Sequence, residues 1–133
     1  MKSLYPHLIF IIVTILIDLV WLVGAKKWHQ TNISKIQKSP LQLNYKYAPL
    51  FYLVASIAFA TFILPLTKGQ SFKKVALYGA VLGLALYGSF DFTNLTIFKE
   101  YDWKYAASDV AWGTFALSLA SVVTVAILRK INV

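Results

Sequence analysis

Three of the five acidic residues in this chain, Asp18, Asp91 and Asp109, stand inside long apolar runs. Asp18 interrupts LIFIIVTILIDLVWLVGA, Asp91 lies in YGSFDFTNLTIF, and Asp109 opens DVAWGTFALSLASVVTVAIL. An ionisable side chain among apolar neighbours costs free energy; where it persists it pairs with other polar groups, lines a wet cavity or handles ions. With Asn94 one turn beyond Asp91, the set offers oxygens suited to a proton relay or to a hard cation such as sodium, magnesium or calcium. Carboxylates brought close repel one another, so three in one place would need a proton or a cation among them.

The elements that must position these acids are membrane-spanning helices. The chain of 133 residues has room for one domain, 1–133. At 59% hydrophobic and 16% aromatic it is too apolar for a soluble domain of this length. Four apolar runs, at about 6–25, 48–66, 75–98 and 106–128, each approach the roughly 20 residues a helix needs to cross the hydrocarbon core. The expected fold is all-α, an integral membrane four-helix bundle that passes the bilayer several times. Pro6 is tolerable in the first turn of the first helix. Because Asp18 breaks the first run and no small-x-small site follows, that run is read as a retained span and not a cleaved leader. The longest connection, KKWHQTNISKIQKSPLQLNYKY, reads either as an irregular loop or as a short surface helix. In the second case Trp28, Ile33 and Ile36 form its apolar stripe and Pro40 stops it.

A net charge of +8 would point to nucleic acid in a soluble protein. Here the basic residues flank the apolar runs, where they meet lipid headgroups, so membrane lipids are the expected partners and nucleic acid is not. The side that holds both termini carries Lys2, Lys68, Lys73, Lys74, Arg129 and Lys130, and the other side a similar number of lysines, so the positive-inside rule does not choose an orientation. The absence of cysteine removes disulfides, thiol chemistry and thiolate metal sites.

Four antiparallel crossings put the first and third connections on one side of the membrane. Asp18 precedes Lys26, Asp91 precedes Lys99, and Asp109 follows Lys104 at similar spacings. At about 1.5 Å per residue all three lie roughly 8–12 Å below the same edge. Helical spacing then selects their companions. Thr14 and Trp21 share a face with Asp18; Gly83, Tyr87 and Asn94 share one with Asp91; Trp112 and Gly113 follow Asp109. The second span adds Pro49, Tyr52 and Ser56 at the same end, and Thr93 adjoins Asn94. The expected proton- or cation-binding set is Asp18, Asp91, Asp109 and Asn94, supported by Thr14, Trp21, Tyr52, Tyr87, Thr93 and Trp112.

Asp and Trp recur at the same spacing in the first and fourth spans. An indole N–H donates and cannot accept, which suits a carboxylate, so at least one of Trp21 and Trp112 is expected to bond an aspartate of another helix. Gly79 and Gly83 form a GxxxG pattern that, with Gly113, permits close helix contact within the bundle or between protomers. Aromatic residues at span ends, among them Tyr45, Tyr47, Trp103 and Tyr105, read as interfacial belts.

Three motifs now stand in order: D-x-x-W from Asp18 to Trp21, D-F-T-N from Asp91 to Asn94, and D-x-x-W-G from Asp109 to Gly113. Together they resemble those of a family of small four-helix membrane proteins grouped as a domain of unknown function, and the resemblance covers nearly the whole chain. It implies the fold and singles out the motif residues; it implies no activity. In that family a tyrosine commonly precedes the third-helix aspartate, where this chain has Phe90. Tyr87, one turn earlier, would then have to supply the hydroxyl.

Three functions fit. Ion handling ranks first: a channel or transporter for protons or cations, which in so small a bundle would require several protomers and hence a homo-oligomer. The second is a membrane-embedded enzyme acting on a lipid or isoprenoid, with one aspartate as acid and another as base or metal ligand. The spans hold no Cys or Lys and no His except His7 at the margin, which argues against Schiff bases, covalent cysteine chemistry and bis-histidine haem. No residue is assigned as catalytic, and no cofactor is expected beyond a cation at the aspartates. The third is a structural or assembly protein whose polar layer is interhelical glue, worth about 0.6 kcal/mol per contact. Lys46, Lys99 or Lys104 would then snorkel in to compensate the acids.

Overall fold

The structure, a computed structural model, describes residues 2–133, and every regular element among them is helical. Helix α1 is Tyr5–Gly24, α2 is Lys26–Gln37, α3 is Ala48–Leu66, α4 is Phe72–Ile97 and α5 is Trp103–Lys130. All but α2 are long and apolar enough to cross a membrane, and the chain is a multi-pass integral membrane protein.

Local chemistry sets the boundaries. Helix α4 starts at Phe72, ahead of the expected 75, because the Ser71 hydroxyl accepts the backbone N–H of Lys74 at 3.3 Å. Helix α5 starts at Trp103, ahead of the expected 106, because Asp102 Oδ1 accepts the N–H groups of Lys104 at 2.6 Å and Tyr105 at 3.2 Å. Of the two readings for the long connection, the helix prevails as far as Gln37. It ends where Lys38 turns left-handed, φ 57°, just before Pro40. The expected stripe faces the bundle: Ile33 and Ile36 pack on Tyr101, Tyr105 and Ala106, and Trp28, although partly exposed, donates its indole N–H to Ser108 of α5 at 3.1 Å; His29 and Asn32 are buried beside them. The helix therefore lies on the end of the bundle, over the start of α5.

Helix α3 carries a π-turn over Phe59–Ile63, just before Pro65. Proline has no N–H to donate and its ring presses on the carbonyl four residues earlier. A wider turn relieves that clash while still satisfying the backbone, here through Leu64 N–H on the Phe59 carbonyl.

Helices α4 and α5 make the closest pair in the bundle. A methyl group built on Gly79 would strike Ser121 and the Leu117 carbonyl, and one on Gly83 would overlap the backbone of Gly113 and Thr114. The GxxxG pattern thus serves a contact inside the bundle. Helix α1 packs on α5 and on α3, while α3 meets α4 chiefly through its π-turn. The first half of α3 and the second half of α4 are consequently splayed. The opposite half of the bundle is closed by Phe10, Ala55, Phe59, Ile63, Val75, Leu117, Ala120 and Val125, with the Phe10 and Phe59 rings stacked at 4.4 Å.

Gly83→Ala should force α4 and α5 apart and cost about 2 kcal/mol of stability. Thermal unfolding in maltoside micelles checks this, with Gly24→Ala, where a methyl group meets nothing within 4 Å, as the variant expected to unfold like the parent.

Candidate functional site

Because α1 and α5 run antiparallel, their D-x-x-W segments meet in reverse order. Trp112 Nε1 donates to Asp18 Oδ1 at 3.1 Å, and Trp21 Nε1 donates to Asp109 Oδ1 at 3.2 Å. The two indoles lie stacked between the acids, ring centroids 5.3 Å apart and planes inclined by 8°. Each helix thus supplies the acid for the other's indole.

Asp18, 5% exposed, gathers further donors. Tyr52 of α3 donates its hydroxyl to Oδ2 at 3.0 Å, and Tyr87 of α4 reaches Oδ1 at 3.5 Å. Tyr87 arrives there because Gly113 lets its ring lie flat on α5; a Cβ at that position would overlap the ring. Four helices therefore converge on one carboxylate, and its three partners are all neutral.

Asp91 is fully buried. Its Oδ1 accepts the hydroxyl of Tyr101 at 2.5 Å, and its Oδ2 is buried without a partner. The carboxyl of Asp109 is a neighbour of the same side chain. Tyr101 sits in the connection between α4 and α5. Its phenol is pushed above the ordinary range, first by burial and then by its bond to Asp91, with the neighbouring Asn94 amide acting in the opposite direction.

Beside these acids is a cavity of about 410 Å³, within the size range of small-molecule sites. Asp18 and Asp109 face it together with Trp21, His29, Phe51, Tyr52, Tyr87 and Tyr105. Leu22 and Phe90, 47% and 58% exposed, stand at its rim. Phe51 and Tyr52 of α3 and Leu86, Tyr87 and Phe90 of α4 line it where those two helices are least closely packed. His29 comes from α2: its Nδ1 is 2.8 Å from the Tyr105 hydroxyl, and its Nε2 is buried without a partner. Among the described residues no three Asp, Glu or His side chains converge as a metal ion would require.

Asp18, Asp91, Asp109, Trp21, Tyr52, Tyr87 and Trp112 are brought together, and Asn94 stands at the edge beside Tyr101. Thr14 and Thr93 stand apart. Thr14 is buried but spends its hydroxyl on the Phe10 carbonyl of its own helix, and Thr93 faces outward. Ser56 likewise bonds the Leu53 carbonyl. Tyr45, Tyr47 and Trp103 are exposed, as belt residues are, but Tyr105 is buried in the site. Tyr101, Tyr105 and Asp109 recur every four residues, a spacing that marks one helix face and could have joined them. His29 carried no such signal, since it reaches the cavity from a separate element. The hydroxyl for Asp91, absent at Phe90, comes from Tyr101, while Tyr87 serves Asp18.

A family model described as "Predicted membrane protein (DUF2177)" matches residues 3–126, and the chain belongs to that family. Comparison with curated proteins and with solved structures finds no match.

The reciprocal indole bonds should be separable from the stacking. Trp112→Phe keeps a ring in place but removes one N–H from Asp18, and a double-mutant cycle with Asp18→Asn should return a coupling of about 0.6 kcal/mol or more. In near-UV circular dichroism, Trp21→Phe and Trp112→Phe should each abolish the coupled-indole signal, and Trp103→Phe should leave it intact.

Proposed function

We propose that the aspartate cluster is a proton-exchange site serving a lipophilic molecule that enters the cavity sideways from the bilayer. The observation that carries this reading is the cavity itself, which lies at the level of the acids, is walled by Asp18 and Asp109, and has apolar Leu22 and Phe90 at its lipid-facing rim.

A proton suits these carboxyls better than a metal cation does. The oxygens of Asp18 already accept three N–H and O–H groups, so they are occupied by donors, whereas a cation needs acceptors around it. The orphaned Oδ2 of Asp91 beside Asp109 is the arrangement in which one proton held between two carboxyls replaces repulsion with a hydrogen bond. Tyr101 links that pair to the nearby membrane face.

Onward from the cluster the bundle offers little to a proton. Most hydroxyls in its other half are spent on backbone carbonyls, Thr14 on Phe10, Ser121 on Leu117 and Ser118 on Ala76; Thr124 Oγ1 is buried without a partner, and the apolar core closes the rest. A proton that leaves the pair of Asp91 and Asp109 is therefore better placed to pass to a molecule in the cavity than across the bundle. The chemistry that fits is acid–base chemistry on a lipid or isoprenoid. One carboxyl adds a proton to one carbon of a double bond, leaving positive charge on the other, and another removes a proton from the allylic carbon beside that charge, so the double bond moves by one position with no net gain or loss of protons.

Vectorial transport of protons or cations is the second reading, and the connection of buried Asp91 to one face through Tyr101 favours it. Proteoliposomes with an internal pH dye and an imposed potential separate the two. We expect proton leak equal to that of empty liposomes. We also expect a neutral or basic lipophile to co-purify, detectable by mass spectrometry and lost in Leu86→Trp, which fills the cavity wall. Proton flux that Asp91→Asn abolishes would overturn the proposal in favour of transport.

A further inference from the structure

The cavity's lining narrows the ligand class, an inference that rests on the reading above. We propose that the cavity selects a cationic amphiphile: a lipophilic ammonium whose head sits between Asp18 and Asp109 and whose tail leaves past Phe90 toward lipid.

Charge is the first argument. Asp18 and Asp109 bring carboxyls to the wall, their hydrogen-bond partners are Tyr and Trp side chains, and no Lys or Arg lines the cavity. A phosphate or carboxylate head would meet two acids and no basic partner. A neutral alcohol could donate one hydrogen bond but would leave the charge of the acids uncompensated, whereas a positive head turns that charge into an attraction.

The aromatic content is the second argument. Trp21, Phe51, Tyr52, Tyr87, Phe90 and Tyr105 make up most of the remaining wall, and Phe51 and Tyr87 meet edge to face at 5.8 Å. The negative faces of such rings attract ammonium groups by up to about 2 kcal/mol once water is excluded, which is why aromatic cages recur around such ligands. The third is His29. Its ring is part of the wall, its Nδ1 is engaged by Tyr105, and its Nε2 is buried and unpartnered. When Nδ1 carries the proton toward the Tyr105 oxygen, Nε2 is an acceptor for the N–H of a protonated amine. The same wall would favour the positive charge that develops on carbon when a double bond is protonated, which ties ligand preference to the chemistry proposed above.

The test uses the full chain in neutral maltoside micelles, in a Trp28→Phe, Trp103→Phe background that leaves Trp21 and Trp112 as fluorescent reporters. Dodecyltrimethylammonium, 1-dodecanol and dodecanoate are the probes. We expect dodecyltrimethylammonium to bind about tenfold or more tightly than 1-dodecanol, and dodecanoate no better than the alcohol. Asp18→Asn and Asp109→Asn should each cut ammonium affinity about tenfold and leave alcohol affinity within about twofold. Phe90→Leu at the exposed rim, a change that spares the fold, should lower ammonium affinity about threefold with the alcohol unchanged. Equal affinities for ammonium and alcohol, or equal losses of both in these variants, would overturn charge selection while leaving a lipophile-binding cavity in place. Saturable binding of none of the three would overturn both.

Discussion

Two carboxyl groups, Asp18 buried and Asp109 half-buried, have been taken from water into a membrane bundle, and what replaces their hydration is a pair of indoles exchanged between α1 and α5. Trp112 serves Asp18, Trp21 serves Asp109, and the rings stack between them. This clasp fixes the register of the two helices, because a shift of one residue along either would leave an acid without its donor. It also rotates both helices so that Asp18 and Asp109 look into the bundle. Tyr52 and Tyr87 can reach Asp18 from α3 and α4 only once that rotation is set.

The partners are neutral, and this decides what the acids can do. An acid paired with lysine or arginine would be a closed ion pair, costly to break and of little chemical use. An acid held by hydroxyl and indole donors has no fixed countercharge and stays open to a proton or to a positive group. The bundle is lopsided to match. One half gathers the acids, the tyrosines, His29 and the cavity, and the other is a packed core of Phe10, Phe59, Ile63 and Leu117 with its hydroxyls turned onto the backbone. Glycines at 79 and 83 let α4 press onto α5, the π-turn carries α3 across to α4, and beyond it the two helices part beside the cavity. These features put the acids, the tyrosines and the cavity in one half of the protein.

Much of this was legible in the chain itself. Spans could be read from apolar length, and the depth of Asp18, Asp91 and Asp109 from their distance to flanking lysines, since helical rise is constant. The bond from an indole to an aspartate of another helix followed from donor chemistry and the repeated D-x-x-W spacing. Helix starts at Phe72 and Trp103 were less visible because Ser71 and Asp102 look like turn residues until their caps are drawn. Three-dimensional proximity hid the rest. Tyr101 lies between two spans, Tyr105 has the place of a belt residue, and His29 stands in a basic connection, yet all three close over the acids. Thr14 and Thr93 had suitable chemistry and near-suitable spacing, but backbone bonding claims one and outward rotation removes the other.

Solid-state NMR of lipid-reconstituted protein, with ¹⁵N in the tryptophan side chains and ¹³C in the aspartate carboxyls, addresses the clasp most directly. Dipolar recoupling should reveal two indole-nitrogen to carboxyl-carbon contacts, one disappearing in Trp21→Phe and the other in Trp112→Phe. Recoupling that finds no such contact, or contacts unaffected by either substitution, would contradict the arrangement on which this account is built.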